Sequence, residues 1–154
     1  MIMDIFEAYL AHHKAHREDT VALVCASYKP VYQRLHGEAL IDDRVNTELA
    51  TYGDALLRFA LVSLFLDKVE KLSEHIKQYL TDKFLIECVA KHYRLLDYIL
   101  YDEDNPLIPA QYVFYKNDRT KYIATSVEAV LGDIYREGAS MEDIRALVES
   151  WTHL

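Results

Sequence analysis

Two acidic residues of this sequence stand among small and apolar residues whose spacing predicts helices. Asp54 follows Gly53 within NTELATYGDALL, residues 46–57. Glu128 is flanked by apolar residues within YIATSVEAVLGDIY, residues 122–135. A carboxylate buried without a cation is costly, and a shared Mg²⁺ ion would relieve that cost, because magnesium binds one or two protein carboxylates together with water and phosphate oxygens. The two segments therefore predict a magnesium site formed by Asp54 and Glu128.

The elements that must position these acids are predicted to be helices. Of the 154 residues, 51% are hydrophobic and only 4 are Gly and 3 are Pro, which favours long helices over many short strands. We therefore expect an all-α bundle of about seven to eight helices in a single domain, residues 1–154. Apolar spacing and capping signals predict helices over residues 4–15, 19–36 with a kink or restart at Pro30, 42–66, 68–80, 83–92, 93–101, 117–137 and 141–151.

Other reactive side chains have simpler interpretations. Cys25 and Cys88 lie in apolar helical patterns, which is typical of reduced, buried thiols rather than of a disulfide framework. His12 and His16 are one helical turn apart, which would suit a metal pair, but the neighbouring lysine and arginine favour a solvated face. The acids at residues 102–104 precede a proline and indicate a solvated turn, with a metal-binding loop as the alternative.

Two properties of the whole chain bear on its location and partners. The N-terminal residues MIMDIFE contain acids where a secretory leader contains bases, and the longest apolar stretch, residues 59–66, is far too short to span a bilayer. We therefore expect a cytoplasmic protein that does not bind membranes. The formal net charge of −8 weighs against nucleic-acid binding, because lysine and arginine usually supply most of the affinity for phosphates.

The two segments that contain the acids also resemble a known family. Residues 46–57 resemble the ribonuclease III signature NERLEFLGDAVL, and residues 122–135 resemble that family's LADTVEALIGAIY. The similarity extends to residues 22–28 and 80–100, in the same order along the chain. The resemblance implies the all-α fold of a ribonuclease III-like endonuclease domain.

The resemblance assigns Asp54 and Glu128 as both the catalytic and the metal-ligating residues. Ribonuclease III places four carboxylates around its metals, and Ala50 and Thr125 stand at the positions of the other two acids. Thr51 stands where the signature has a phenylalanine that inserts into the partner subunit. The Mini-III ribonucleases, with motifs similar to AYIGD and STAFEA, also lack those two acids and have no double-stranded-RNA-binding domain. The site therefore resembles Mini-III most closely.

The activity implied by this resemblance is magnesium-dependent hydrolysis of double-stranded RNA. Mg²⁺ would be the cofactor, with Mn²⁺ as a substitute to be tested. A homodimer would place one site on each RNA strand, and the duplex would be recognised by its A-form shape, 2′-hydroxyls and phosphates. Analogy with Mini-III suggests maturation of ribosomal RNA as the biological role.

Further residues are expected to support this site or to contact RNA. Helical spacing places Arg58 one turn after Asp54 and Lys121 two turns before Glu128. For each of them a solvated surface role is the alternative. The complete set is Asn46, Arg58, Lys83, Lys121 and Thr125.

Two other hypotheses stay open at this point. The loss of two family acids and the net charge of −8 favour a catalytically inactive ribonuclease III-like domain that acts as an RNA-binding or structural module. An unrelated helical protein that shares only these short patterns is the third alternative. A separation of more than about 10 Å between Asp54 and Glu128 would favour the third, because one ion could not bridge them.

Overall fold

Helices account for the regular structure of residues 3–154, the part of the chain that this computed structural model describes. Met1 and Ile2, which begin the predicted domain, lie outside the described residues. Between residues 3 and 154 no strand forms, and a lone parallel bridge joins Val24 to Leu100. The helices are α1 Ile5–His13, α2 Lys29–His36, α3 Thr47–Phe65, α4 Leu72–Lys77, α5 at residues 82–93, α6 Lys121–Arg136 and α7 Met141–Trp151. The all-α prediction is confirmed, and these seven helices lie within the predicted number.

Helices α3 and α6 form the centre of the bundle and pack against each other more extensively than any other two elements. Leu57 and Leu61 of α3 and Val127 and Leu131 of α6 are almost completely buried between them. Complete burial of a side chain of this size stabilises the fold by about 1.5–3 kcal/mol relative to its exposure to water. Helices α1, α5 and α7 pack around this pair and complete one continuous core.

Buried polar contacts tie the outer helices to this centre. The Tyr9 hydroxyl on α1 donates to Oδ2 of Asp133 on α6 at 2.5 Å. The indole nitrogen of Trp151 on α7 donates to the Tyr93 hydroxyl on α5 at 2.7 Å, and Tyr93 donates to Asp4 at 2.6 Å. Each of these donors has a partner, so the aromatic rings are buried without an unpaired polar group.

Several predicted helix boundaries are confirmed by their caps. Gly37, with φ of +73°, ends α2, and Gly138, with φ of +120°, follows α6. The Ser140 side chain accepts from the Asp143 backbone nitrogen, and the Asp143 carboxylate accepts from the Ser140 backbone nitrogen. This capping box fixes the start of α7 where the sequence predicted it.

Several of the predicted helices are wrong or too long, and α3 and α6 begin five and four residues later than predicted. Residues 93–101 contain only a short 3₁₀ turn, Leu95–Asp97, because the Leu100 backbone nitrogen donates to Leu23 and its carbonyl oxygen accepts from Cys25. Residues 21–28 likewise form two 3₁₀ turns before α2 begins. Helix α4 is confined to Leu72–Lys77 within the predicted 68–80. The backbone bonds of Leu100 with Leu23 and Cys25 join residues that are far apart in the chain, so local apolar spacing could not predict them.

The remaining side-chain predictions have mixed outcomes. Both cysteines are free, but only Cys25 is fully buried, whereas Cys88 is half-buried. His12 and His16 are exposed, as a solvated face requires. None of the helices within residues 3–154 combines the length and the apolar character that crossing a membrane requires.

Candidate active site

Helices α3 and α6 cross with their backbones in contact, and two glycines permit that contact. A Cβ atom added at Gly53 would lie 1.7 Å from the carbonyl oxygen of Glu128, far inside any van der Waals distance. At Gly132, an added Cβ would lie 2.7 Å from the carbonyl oxygen of Leu49. Because any larger side chain would separate the helices, glycine at these positions places Asp54, the residue after Gly53, beside Glu128.

The Asp54 and Glu128 side chains lie close together at this crossing. Both are half-buried, and the Glu128 carboxyl lies within hydrogen-bonding reach of Asp54. Burial raises the pKa of Glu128 to about 8, and the hydrogen bond and the negative charge of Asp54 act in the same direction. The pair therefore keeps a proton near neutral pH that an exposed glutamate would lose.

A second charged pair lies next to Glu128. The Lys121 ammonium donates to Oδ2 of Asp82 at 2.9 Å, and this contact raises the pKa of Lys121. The charge of Asp82 further raises the pKa of Glu128, whereas the charge of Lys121 lowers it. Carboxyl groups from α3, α5 and α6 and one ammonium group thus come together at one place on the protein.

The cations predicted to support the site lie at its edge. Lys121 is exposed on α6, and Arg58 is exposed on α3 one turn beyond Asp54. Lys83 is exposed in the first turn of α5, next to Asp82. All three are accessible to a large anionic ligand, and the charge of Lys121 acts directly on Glu128.

Asn46 lies where it can support the site but cannot reach a ligand. Its side chain is 1% exposed, and Nδ2 donates to the carbonyl oxygen of Ala22 at 3.1 Å and to Oγ of Ser126 at 3.0 Å. Ser126 in turn donates to the carbonyl oxygen of Tyr122 at 2.8 Å. The Asn46 amide therefore fastens the start of α3 to α6 and is not available for a contact with RNA in this conformation.

The two positions at which the family has further acids differ in environment. Ala50, one turn before Asp54, is 7% exposed and packs in the core. Thr125, one turn before Glu128, is half-buried on α6. A carboxylate at position 50 would have to be buried in that core, so the replacement by alanine suits the packing seen here.

The donor chemistry of the pair fits a magnesium ion. Carboxylate oxygens are the ligands that Mg²⁺ prefers, and one or two protein carboxylates are sufficient when water and substrate oxygens fill the remaining positions. Within residues 3–154, no group of three or more His, Cys, Asp or Glu side chains is arranged to hold a metal ion. A metal at the crossing would therefore depend on Asp54 and Glu128.

Asp82 is the member of this site that the sequence analysis did not identify. It is the first residue of α5, and the preceding residue, Thr81, caps the helix by accepting from the Phe84 backbone nitrogen at 3.1 Å. An acid in the first turn of a helix is common, because it interacts favourably with the helix dipole. The sequence around Asp82 therefore contained no signal for a role in the site.

The raised pKa of Glu128 predicts how stability depends on pH. We expect the free energy of unfolding of the metal-free protein to fall by a few kcal/mol between pH 4.5 and about 8. The unfolded chain loses the Glu128 proton near pH 4.5, whereas the folded protein keeps it to about pH 8, so folding binds a proton in this window. The stabilisation is complete below pH 4.5 and is lost as the pH rises through about 8.

Urea denaturation in EDTA at intervals of pH would measure this slope. Glu128→Gln, which has no ionisable group at this position, should show a flatter profile in the same window. An equal slope in the variant and the wild type would contradict the pKa assigned to Glu128.

Comparison with known proteins leaves the geometry as the main guide to function. The chain matches no protein-family model, no curated protein and no solved structure.

Proposed function

We propose that this protein is a magnesium-dependent endoribonuclease of the ribonuclease III type that cleaves double-stranded RNA, with a reduced site of the Mini-III kind. The observation that carries the proposal is the crossing at Gly53, where Asp54 and Glu128 come into hydrogen-bond contact from two helices. Both acids and both glycines of this crossing, Gly53 and Gly132, belong to the segments that resemble the family. The cytoplasmic location and a role in ribosomal RNA maturation are parts of the same proposal.

The two acids would hold the ion. Bound Mg²⁺ would lower the pKa of a bound water molecule and neutralise charge on the phosphate. Glu128 would lose its proton on binding a cation, because only the ionised carboxylate is a good ligand. Asp54, which lies close to Glu128, would supply the second carboxylate ligand.

The nearby cations would bind the RNA backbone. Lys121, Arg58 and Lys83 are exposed around the two acids and could contact phosphates on either side of the scissile bond. Asp82 holds the Lys121 ammonium in place at 2.9 Å. Because the chain has a net charge of −8, we expect the affinity for RNA to be modest and strongly reduced by salt.

Helix α3 also supports the proposal of a homodimer. Tyr52, Phe59 and Leu66 are 45%, 59% and 55% exposed, and they follow one another along one side of the helix with Ala55, which is also exposed. An apolar stripe of this length on a helix marks a surface for association. A two-fold pair of α3 helices would bury the stripe and bring two sites together, one for each strand of a duplex.

Loss of this stripe is expected to prevent dimer formation. Phe59→Asp would place a charge in the buried interface and should yield a monomer that still folds, because Phe59 is exposed in the single chain. Analytical ultracentrifugation of the wild type and the variant would measure the change. Leu35→Asp, at a residue that is 65% exposed on α2, is the matched control and should stay dimeric. A wild-type chain that is monomeric at all concentrations would contradict the dimer.

One observation favours the second hypothesis, an inactive ribonuclease III-like module. Ala50 is buried in the core where the family has an acid, so the site has fewer ligands than an ordinary ribonuclease III. Such a module would bind a duplex without cleaving it. The two hypotheses differ in turnover and not in affinity.

A cleavage assay distinguishes them. Purified protein would be incubated at low salt with an RNA duplex labelled on both strands, in Mg²⁺, in Mn²⁺ and in EDTA. Cuts in both strands that require the metal are the expected result. Duplex binding without cleavage would support the inactive module, and neither binding nor cleavage would leave only an unrelated helical protein.

A further inference from the structure

We propose that a cleft at the C-terminal end of α3 binds a mononucleotide, at a site independent of the two acids. The cleft, of about 610 Å³, lies between α3, α4 and α7 and is lined by Phe65, His75, Tyr79 and Arg145 among other residues. Its size is that of a small-molecule site, which typically measures about 300–1,000 Å³. Phe65 is about 16 Å along the helix axis from Asp54, from a rise of about 1.5 Å per residue.

The charge of the cleft is opposite to that of the whole chain. Lys68 and Arg145 are permanently cationic, and the two histidines of the lining, His75 and His153, become cationic on protonation. Glu149 is the single acid among the residues that line it. In a chain with a net charge of −8, this local excess of cations favours an anionic ligand.

Arg145 supplies donors that the protein itself does not use. Among residues 3–154 it takes part in no salt bridge, although Glu149 lies one turn further along α7. Its Nε atom is buried without a hydrogen-bond partner, and so is Nε2 of His75 across the cleft. A guanidinium group binds phosphate oxygens with two parallel hydrogen bonds, which the terminal nitrogens of Arg145 can supply, since Nε itself is closed off from solvent. A phosphate at this position would therefore stabilise the side chain.

The aromatic side of the cleft suits a planar ring. Phe65 and Tyr79 lie nearly parallel, with an interplanar angle of 7° and ring centroids 6.0 Å apart. The His75 ring meets the Phe65 ring edge-on at 4.5 Å. All three side chains are half-buried and so leave part of each ring accessible. Stacking of a base on an aromatic side chain contributes about 1–3 kcal/mol. A cleft that has both cations and aromatic rings therefore suits a nucleotide, which has a phosphate and a base, better than it suits inorganic phosphate.

Titration with three probes tests the proposal. The wild-type protein would be titrated at low salt with adenosine monophosphate, with adenosine and with inorganic phosphate. The heat of binding and the ¹⁵N chemical shifts of the protein would be measured in each titration. We expect saturable binding of the nucleotide, with shifts confined to residues 65–79 and 145–153. Adenosine and phosphate should each bind at least about tenfold more weakly, a loss of about 1.4 kcal/mol, because each lacks one half of the contacts.

Variants identify the contacts. Arg145→Met should weaken nucleotide binding at least tenfold, and Phe65→Leu severalfold. Lys68→Met, at an exposed residue, gives a second cation variant if Arg145→Met does not fold. Arg34→Met, at an exposed arginine on α2, is the matched control and should bind as the wild type does.

Three outcomes would overturn the proposal. These are no saturable binding of the nucleotide, unchanged binding in the cation variant that folds, and phosphate binding as tight as that of the nucleotide. Asp54→Asn should leave nucleotide binding unchanged, so failure of the proposed nuclease site and failure of this cleft would be seen separately.

Discussion

Glu128→Gln is expected to lower magnesium-dependent cleavage of an RNA duplex by about a thousandfold or more, because a metal ion contributes several kcal/mol at the transition state and each 1.36 kcal/mol is a factor of ten. Gln offers one neutral oxygen where the ion needs a carboxylate. The same change is expected to stabilise the metal-free protein above pH 8, because the buried Glu128 carboxyl must then be ionised whereas Gln stays neutral.

These opposite effects separate a catalytic loss from a folding defect. A variant that is more stable than the wild type and yet inactive cannot owe its inactivity to unfolding. Glu142→Gln, at an exposed acid in the first turn of α7, removes a carboxylate away from the crossing and is the matched control. Asp54→Asn should also be inactive. Cleavage by Glu128→Gln within about tenfold of the wild type would remove this residue from the mechanism.

The parts of the fold that could be predicted are those whose signals are local. Helix α7, with a capping box at Ser140, was predicted to the residue. The continuous apolar stripes of α3 and α6 predicted the C-terminal ends of these helices to within one residue but placed their starts five and four residues too early. The segment around Leu100 could not be predicted, because its backbone pairs with Leu23 and Cys25 far away in the chain. Its apolar spacing is compatible with a helix, and only the tertiary contact excludes one.

Part of the candidate site could likewise be predicted from the sequence, and part could not. Gly53 directly precedes Asp54 and Gly132 lies one turn after Glu128, both inside helical patterns. Such a glycine costs about 1 kcal/mol and therefore indicates a close contact. The structure brings these two acids together, and their catalytic role stays a prediction. Asp82 could not be found, because it reaches the site through the packing of α5 on α6 and has the sequence context of an ordinary helix start.

The positions that resemble ribonuclease III are the ones that the helix crossing constrains. Gly53 and Gly132 have no room for a side chain, and the acid beside each crossing point faces the other. The positions that differ from ribonuclease III include both an exposed one, Thr51, and a buried one, Ala50.

Gly53→Ala tests whether the site depends on that geometry. We expect a loss of about 3 kcal/mol or more in the free energy of unfolding, because the added methyl group would lie 1.7 Å from the Glu128 carbonyl oxygen and the helices must move apart. The higher helix propensity of alanine, about 1 kcal/mol, opposes this and is too small to cancel it. Gly132→Ala should cost less, because its nearest contact is 2.7 Å.

Urea denaturation of these variants would rank the two glycines. Thr51→Ala, at an exposed position of the same helix, is the control and should change stability by only about 0.5 kcal/mol. In any Gly53→Ala protein that folds, separation of the helices should expose Glu128 to water and move it away from Asp54, so its pKa should fall and the decline in stability toward pH 8 should weaken along with cleavage. If Gly53→Ala were as stable and as active as the wild type, the backbone contact would not hold the two acids together, and the argument for a shared ion would lose its structural basis.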